Sequence, residues 1–479
     1  MRIVQRDAVA EAGARPGKPI LAPALFAVIL LLGASPAQTV TKIHDFNGTN
    51  GGDPQSVVLT QGRDGRLYGT TGFGGAYAGG GIFKQRTAGT GLDVLYNFNR
   101  TTEGYDSAGG LTLASDGNFY SALSSGGPTG FGVLYKVTSA GVLTTLHQFQ
   151  GGADGGYPIG PPIEATDGNL YGVTIGGTGA DATVYKYTTT GTFSNVYVFP
   201  DSDDSPTAPP LQAADGNLYF PSSRGGTSIN CGAIFELSTS GVLLNTFSFD
   251  CLTLGQNPGG PLIQISDGTI YGTTPLGGTY NDGTIYTLDT TTGILAVAYD
   301  FGTSPTDGRS PEAGFTLATD GNFYSSTMDG GIFGSGSLFQ LSQNDNYAQL
   351  YSFPVAGHGQ GTEAPLSAPV QATTGLFYGV TDTGGFWGEG TIYTLDMGLG
   401  PFIAFVRAQG HVGATAQILG QGFTGATRVT FNGVPAVSYA VVSDTYLTAV
   451  VPSGATSGPV VVTTPTGALN SNRNFTVSQ

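Results

Sequence analysis

Asp116-Gly117-Asn118-Phe119-Tyr120 joins two short apolar runs, and near-copies recur at 64–68, 167–171, 215–219, 267–271 and 320–324, with a degraded seventh at 374–378. The tyrosines stand at 68, 120, 171, 219, 271, 324 and 378, giving steps of 52, 51, 48, 52, 53 and 54 residues. A period near fifty is the size of one four-stranded propeller blade. Asp-Gly between apolar runs predicts a two-residue hairpin turn with both turn residues at positive φ. The second copy shows four strand-like pieces: 110–114, 118–122, 133–137 and 143–149. The fourth piece ends in Phe at 98, 149, 199, 249, 301 and 353.

The seventh copy stops at Met397, after its third strand, whereas Lys42-Ile43-His44-Asp45-Phe46 is a fourth strand with nothing ahead of it. The orphan fits the vacancy, because closing a ring with the N-terminal strand removes exposed sheet edges. The expectation is an all-β chain whose residues 38–397 form a seven-bladed β-propeller closed by pairing 42–46 with 391–395. A linear solenoid is the alternative, and it leaves both end strands unpaired. After a short linker at 398–400, residues 401–479 alternate strands with Gly, Pro and Asn-Gly punctuation, the pattern of a small β-sandwich.

Two resemblances rest on these pieces. The Asp-Gly-x-Leu-Tyr-Gly and Gly-x-Ile-Phe-Lys elements over about 42–397 resemble the GloVer-type choice-of-anchor tandem repeats of bacterial exported proteins. The stretches 417–423, 426–436, 442–452 and 458–463 resemble IPT/TIG domains, which implies an immunoglobulin-like fold for 401–479. Together they imply a secreted or cell-surface setting and no known reaction. Proteins with such repeats usually carry a C-terminal surface anchor, and none is recognisable in this sequence.

The N-terminus has the pattern of a signal peptide over 1–37. Arg2, Arg6, Arg15 and Lys18 precede an apolar run of 13 residues at 20–32, and Ser35-Pro36-Ala37 supplies small residues at the cleavage position. Thirteen residues are too few to span a bilayer, so no membrane span is expected in the mature chain. The formal charge is −16, which excludes nucleic acid as an expected partner.

Candidate chemistry is sparse. The repeat carboxylates Asp64, Asp116, Asp167, Asp215, Asp267 and Asp320 each sit beside a turn glycine, which points to an Asx turn and not to a ring of calcium ligands. Asp201-Ser202-Asp203-Asp204 is a denser acidic loop, open to calcium or to solvent alone. His44 and His147 occupy a slot filled elsewhere by Tyr96, Tyr197, Phe247, Tyr299 and Tyr351, so a packing ring is expected there. His358 and His411 have no neighbouring His, and zinc and serine-nucleophile signatures are missing. Glycine-rich stretches at 72–75 and 176–179 lack the Lys-Ser/Thr of a phosphate loop and read as turns. No catalytic residue, metal or cofactor is assigned.

What differs between copies is a better guide to ligands than what recurs. The loop after the second strand carries Tyr77, Phe131, Tyr280, Phe333, Phe386 and Trp387, the last being the only tryptophan. Such rings either stack on sugar faces or cap the apolar edges between blades. The leading expectation is a non-catalytic binding or adhesion protein presenting these loops to a glycan or a surface protein. The alternatives are a carbohydrate-active hydrolase or lyase, with a carboxylate pair converging in the channel, and a purely structural surface protein. Finally, Cys231 and Cys251, the only cysteines, would face each other directly if their hairpin turned symmetrically about Gly241, which predicts a disulfide.

Overall fold

The computed structural model describes residues 38–478 apart from 55–56, 88, 90, 108, 177–180, 201–204, 228–230, 267 and 356–363. The signal-peptide segment, Asp201 to Asp204, Asp267 and His358 therefore lie outside the described residues, as does most of the glycine stretch at 176–179. The described residues are all-β and propeller-like, with no helix.

Each repeat folds into its own antiparallel sheet, in the order first, second, third, fourth strand from one edge to the other. In the fourth repeat these are Leu211–Gln212, Leu218–Ser222, Ala233–Leu237 and Leu243–Ser248. The second repeat adds a fifth short strand, Tyr105–Ser107. In the seventh repeat the outer strand is supplied from the far end of the chain. Thr39–Asp45 pairs antiparallel with Thr391–Asp396, with Thr39 opposite Asp396 and Asp45 opposite Thr391.

Burial explains the recurrent phenylalanine. Each fourth-strand Phe is essentially inaccessible and meets a third-strand ring of the next sheet edge-on: Phe98 with Tyr135, Phe149 with Tyr185, Phe199 with Phe235, Phe249 with Tyr286, Phe301 with Phe339 and Phe353 with Tyr393. The series returns on itself, because Phe46 of the N-terminal strand meets Phe83 of the first sheet at 5.3 Å. Consecutive sheets accordingly share apolar cores, and one such core joins the seventh sheet to the first. A linear stack would leave that last core unmade.

The residue two before each Phe is a packing ring, as its spacing suggests. His44 meets Phe46 edge-on at 5.0 Å and His147 meets Phe149 at 4.9 Å, the arrangement that Tyr197 and Tyr299 make with Phe199 and Phe301. The glycine after the repeat tyrosine has an equally local cause. A Cβ on Gly172, Gly272 or Gly379 would lie 2.2–2.3 Å from the hydroxyl of Tyr185, Tyr286 or Tyr393, so the third-strand ring needs the space.

Beyond the linker, two four-stranded antiparallel sheets share one core that includes Ile418, Phe431, Leu447, Val460 and Phe475. One holds Ala404–Phe405, Thr415–Leu419, Tyr446–Val450 and Tyr439–Ser443. The other holds Val434–Pro435, Arg428–Phe431, Val460–Thr464 and Gly467–Asn470. A short parallel pair, Gln409–His411 with Thr476–Ser478, completes this C-terminal region.

Cys231 and Cys251 are bonded, with Cα atoms 5.0 Å apart, but not as a directly opposed pair. The hairpin turns about Ser240 and not Gly241, with Leu237 facing Leu243; a bulge between Glu236 and Leu237 recovers one residue, so that Ala233 faces Ser248 and the cysteines stand one residue out of register. Cys251 reaches its partner by leaving the strand with a φ of 63°.

Candidate functional site

The repeat motif builds a turn that differs from the expected one. Gly117 N–H donates to Ala114 O and Ala114 N–H to Asn118 O, which encloses three residues, and only the glycine has positive φ, at 86°. This is a type I turn followed by a left-handed glycine. The aspartate stays in ordinary φ because its carboxylate is committed twice. In the second copy Asp116 accepts from the Asn118 backbone N–H at 2.9 Å and from the Tyr120 hydroxyl at 2.8 Å. The hydroxyls of Tyr68, Tyr171, Tyr219 and Tyr324 donate to Asp64, Asp167, Asp215 and Asp320 at the same distance. The five-residue motif is thus a clamp in which tyrosine locks its own turn. In the degraded copy Thr374 replaces the aspartate, and Tyr378 donates instead to Thr87 O. Among the described residues no three metal-ligating side chains gather.

Acid should open these clamps. Burial alone would raise the carboxyls of Asp116 and Asp167, but hydrogen bonds from Asn118 and Tyr120, and from Asn169 and Tyr171, outweigh it and hold both below the ordinary carboxylate range. A carboxyl depressed by folding contributes stability that is fully present above its unfolded value and lost as pH falls through the folded one. Denaturation midpoints followed from about pH 6 to about pH 3 should therefore decline below roughly pH 4. The double variant Asp116→Asn, Asp167→Asn should start lower and decline less steeply. An unchanged slope would separate the clamps from the acid response.

A second recurrent contact ties neighbouring sheets together at the same turns. The residue three before the motif position is Gln61, Glu164, Gln212, Gln264 or Gln371 in five copies. Each accepts from the backbone N–H just before the motif position in the preceding sheet, at Thr373, Ser115, Thr166, Ala214 and Thr319 respectively. The spacing of these glutamines was visible in the sequence, but a single polar residue per repeat carries no signal of an inter-sheet bond.

The C-terminal region seats on that ring of turns. Gln417 Nε2 donates to Ser115 O, Arg63 donates to Gln417 Oε1 and lies over the Tyr446 ring, and Thr445 donates to Arg63 O. Gln421 donates to Thr373 Oγ1, and Arg407 donates to Thr166 O at 2.8 Å. Arg63, Ser115, Thr166 and Thr373 all occupy the position just before the motif, so the contact reads the repeat itself. Glu164, the one carboxylate among the five latches, also lies 3.9 Å from Arg407.

The first strands of the sheets and this seated region enclose a cavity of about 1600 Å³. Arg407 and Arg473 line it from the C-terminal side. Glu312 lines it nearer the opposite end, since it stands ahead of the strand Thr316–Leu317, which runs toward the turn at Asp320. Burial, with the Asp329 charge adding to it, raises the Glu312 carboxyl.

That opposite side is formed by the loops after the second and fourth strands. Tyr77, Tyr280, Phe333, Phe386 and Trp387 are 52–62% exposed there, so most of each ring faces solvent. Phe131 does cap: half-buried, it meets Tyr157 edge-on at 5.5 Å. Phe386 and Trp387 stand edge-to-face at 4.9 Å, and the Phe386 N–H donates to Asp45 of the N-terminal strand at 2.9 Å.

Comparison with known proteins supplies the family. The profile of the Gloeobacter/Verrucomicrobia repeat matches residues 31–235, 137–318 and 205–434. The chain belongs to the Gloeobacter/Verrucomicrobia repeat family. No curated protein matches it. Among solved structures, an oligogalacturonate lyase from Vibrio parahaemolyticus is similar at 14% identity and a TM-score of 0.49, covering 74% of this chain and 93% of that one. A gluconolactonase from Xanthomonas campestris is similar at 13% identity and a TM-score of 0.39, covering 76% and 98%. At these values neither bears on the chemistry of the Gloeobacter/Verrucomicrobia repeat chain. No helix among its described residues is long and apolar enough to cross a membrane.

Proposed function

We propose that this chain is an exported, non-catalytic binding or adhesion protein. In this reading the seven repeat sheets are the blades of a closed β-propeller spanning 38–397, and 401–479 is an immunoglobulin-like domain of IPT/TIG type that serves as its base. The observation that carries the reading is the exposure of five aromatic rings on loops of the side the base leaves free. Rings of that size held in water suit stacking on the faces of a glycan or packing against a surface protein. The Cys231–Cys251 bond supports an oxidising, extracytoplasmic setting.

A glycan array probed with the mature chain is the direct test. Against a bound glycan, Trp387→Ala should weaken affinity roughly tenfold, about 1.4 kcal/mol. The melting temperature should hardly move, because the indole is exposed and the loop is held by its backbone. A large loss of stability without a change in binding would identify a structural protein instead. The enzymatic reading draws on Glu312, whose raised carboxyl suits a general acid. It requires turnover of an arrayed glycan that Glu312→Gln abolishes.

A further inference from the structure

We propose that the cavity enclosed by the repeat sheets and the C-terminal region is a binding site for a small oxyanion-bearing molecule, held by Arg473. The site is distinct from the exposed aromatic loops and stands whether or not those loops bind a glycan.

Three observations carry it. First, Arg473 has no hydrogen-bond or ion-pair partner among the described residues, whereas Arg407 on the same wall donates to Thr166 O and lies near Glu164. Of the two arginines lining the cavity, Arg407 is spent on docking and Arg473 is free. Second, Arg473 lines the cavity from the C-terminal side. Its side chain is open to water, yet surrounding protein draws the guanidinium below its ordinary value. A partly desolvated cation without a counter-charge is unfavourable, and a bound anion relieves that cost. Third, the amide oxygen of the adjacent Asn472 is a buried acceptor without a partner on the same wall, so a hydroxyl of the ligand has a group to donate to beside the arginine.

The chemistry narrows the ligand. A guanidinium presents a planar fork that matches a carboxylate or a phosphate bidentately. A volume near 1600 Å³ exceeds that of a single ion and admits a sugar-sized molecule. The chain's charge of −16 disfavours polyanions at long range, and the Glu312 end of the cavity opposes a second negative group. A single oxyanion on an otherwise neutral, hydroxyl-bearing body fits these constraints.

The experiment is calorimetric titration of the mature chain with D-glucuronate, inorganic phosphate and D-glucose. Binding of glucuronate but not glucose is expected, and phosphate binding equal to that of glucuronate would assign recognition to the oxyanion alone. Arg473→Met should weaken the anion at least about tenfold, the effect of losing one charge-assisted pair. Its melting curve should stay close to the parent, since the side chain has no hydrogen bond or ion pair to lose. Arg428→Met, which removes an exposed cation of the same region, should leave binding unchanged. The proposal is overturned if glucuronate and phosphate both fail to bind, if glucose binds equally well, or if the two arginine variants behave alike.

Discussion

Phe46→Ala should lower the unfolding free energy by about 3–5 kcal/mol, the cost of emptying a fully buried aromatic site. The ring is inaccessible to solvent, meets Phe83 of the first sheet, and sits in a core that also takes Leu59, Leu67, Tyr378 and Ile392. That core joins the two ends of the repeat series, so its loss acts on the closure and not on one sheet. Deleting 38–45 should cost more, because it also removes the pairing with Thr391–Asp396 and leaves that strand as an open edge. Denaturant midpoints measure both, with Lys42→Ala as the control on the exposed side of the same strand. If Phe46→Ala cost no more than Lys42→Ala, the N-terminal strand would be an ornament to a stack that holds without it.

The second large effect belongs to the disulfide. Replacing Cys231 and Cys251 together by Ser should cost about 3 kcal/mol, the loop-closure contribution expected for a sequence separation of 20. Cys231 is buried among Phe249, Leu262 and Ile270, so the hydroxyl replacing it adds a polar-burial penalty. The parent, denatured without reductant, should titrate no free thiol, and reductant should lower its denaturation midpoint toward that of the double variant. Two free thiols in the unreduced chain would refute the bond.

The parts of this architecture legible in the sequence are those that repeat. A fourth-strand Phe recurring in every sheet announces a common burial site, and the vacancy after Met397 announces the partner of 42–46. The turn was misread because loop length depends on both flanking strands: Asp-Gly alone suits two residues, and only the pairing of Thr112 with Tyr120 makes it three. The tyrosine clamp was hidden for a related reason. Tyr120 reads as an apolar strand residue, and nothing in its spacing reveals that the hydroxyl turns back to Asp116. The disulfide follows from a hairpin symmetric about Gly241; the turn in fact centres on Ser240, a bulge recovers one residue, and the backbone of Cys251 takes up the remaining one. Arg407, Arg473 and Glu312 occur once each. Their shared cavity follows from docking the C-terminal region onto distant turns, 241 and 302 residues away in the bonds of Arg407 to Thr166 O and Gln417 to Ser115 O. No periodicity encodes that.

The strand that completes the last sheet also sets a clock for folding. It is synthesised ahead of the other strands of the repeats, and its partner at Thr391–Asp396 follows roughly 350 residues later. At 5–20 residues per second the wait is roughly 20–70 s. Throughout that interval Phe46 and the first sheet's Phe83 lack the core they later share, while each intermediate sheet can settle against its predecessor. A chain truncated anywhere before the last strand can build most of its sheets and still never close. Closure therefore works as a length check, and only a chain that reaches Thr391–Asp396 escapes the exposed edge that marks it for chaperones and proteases.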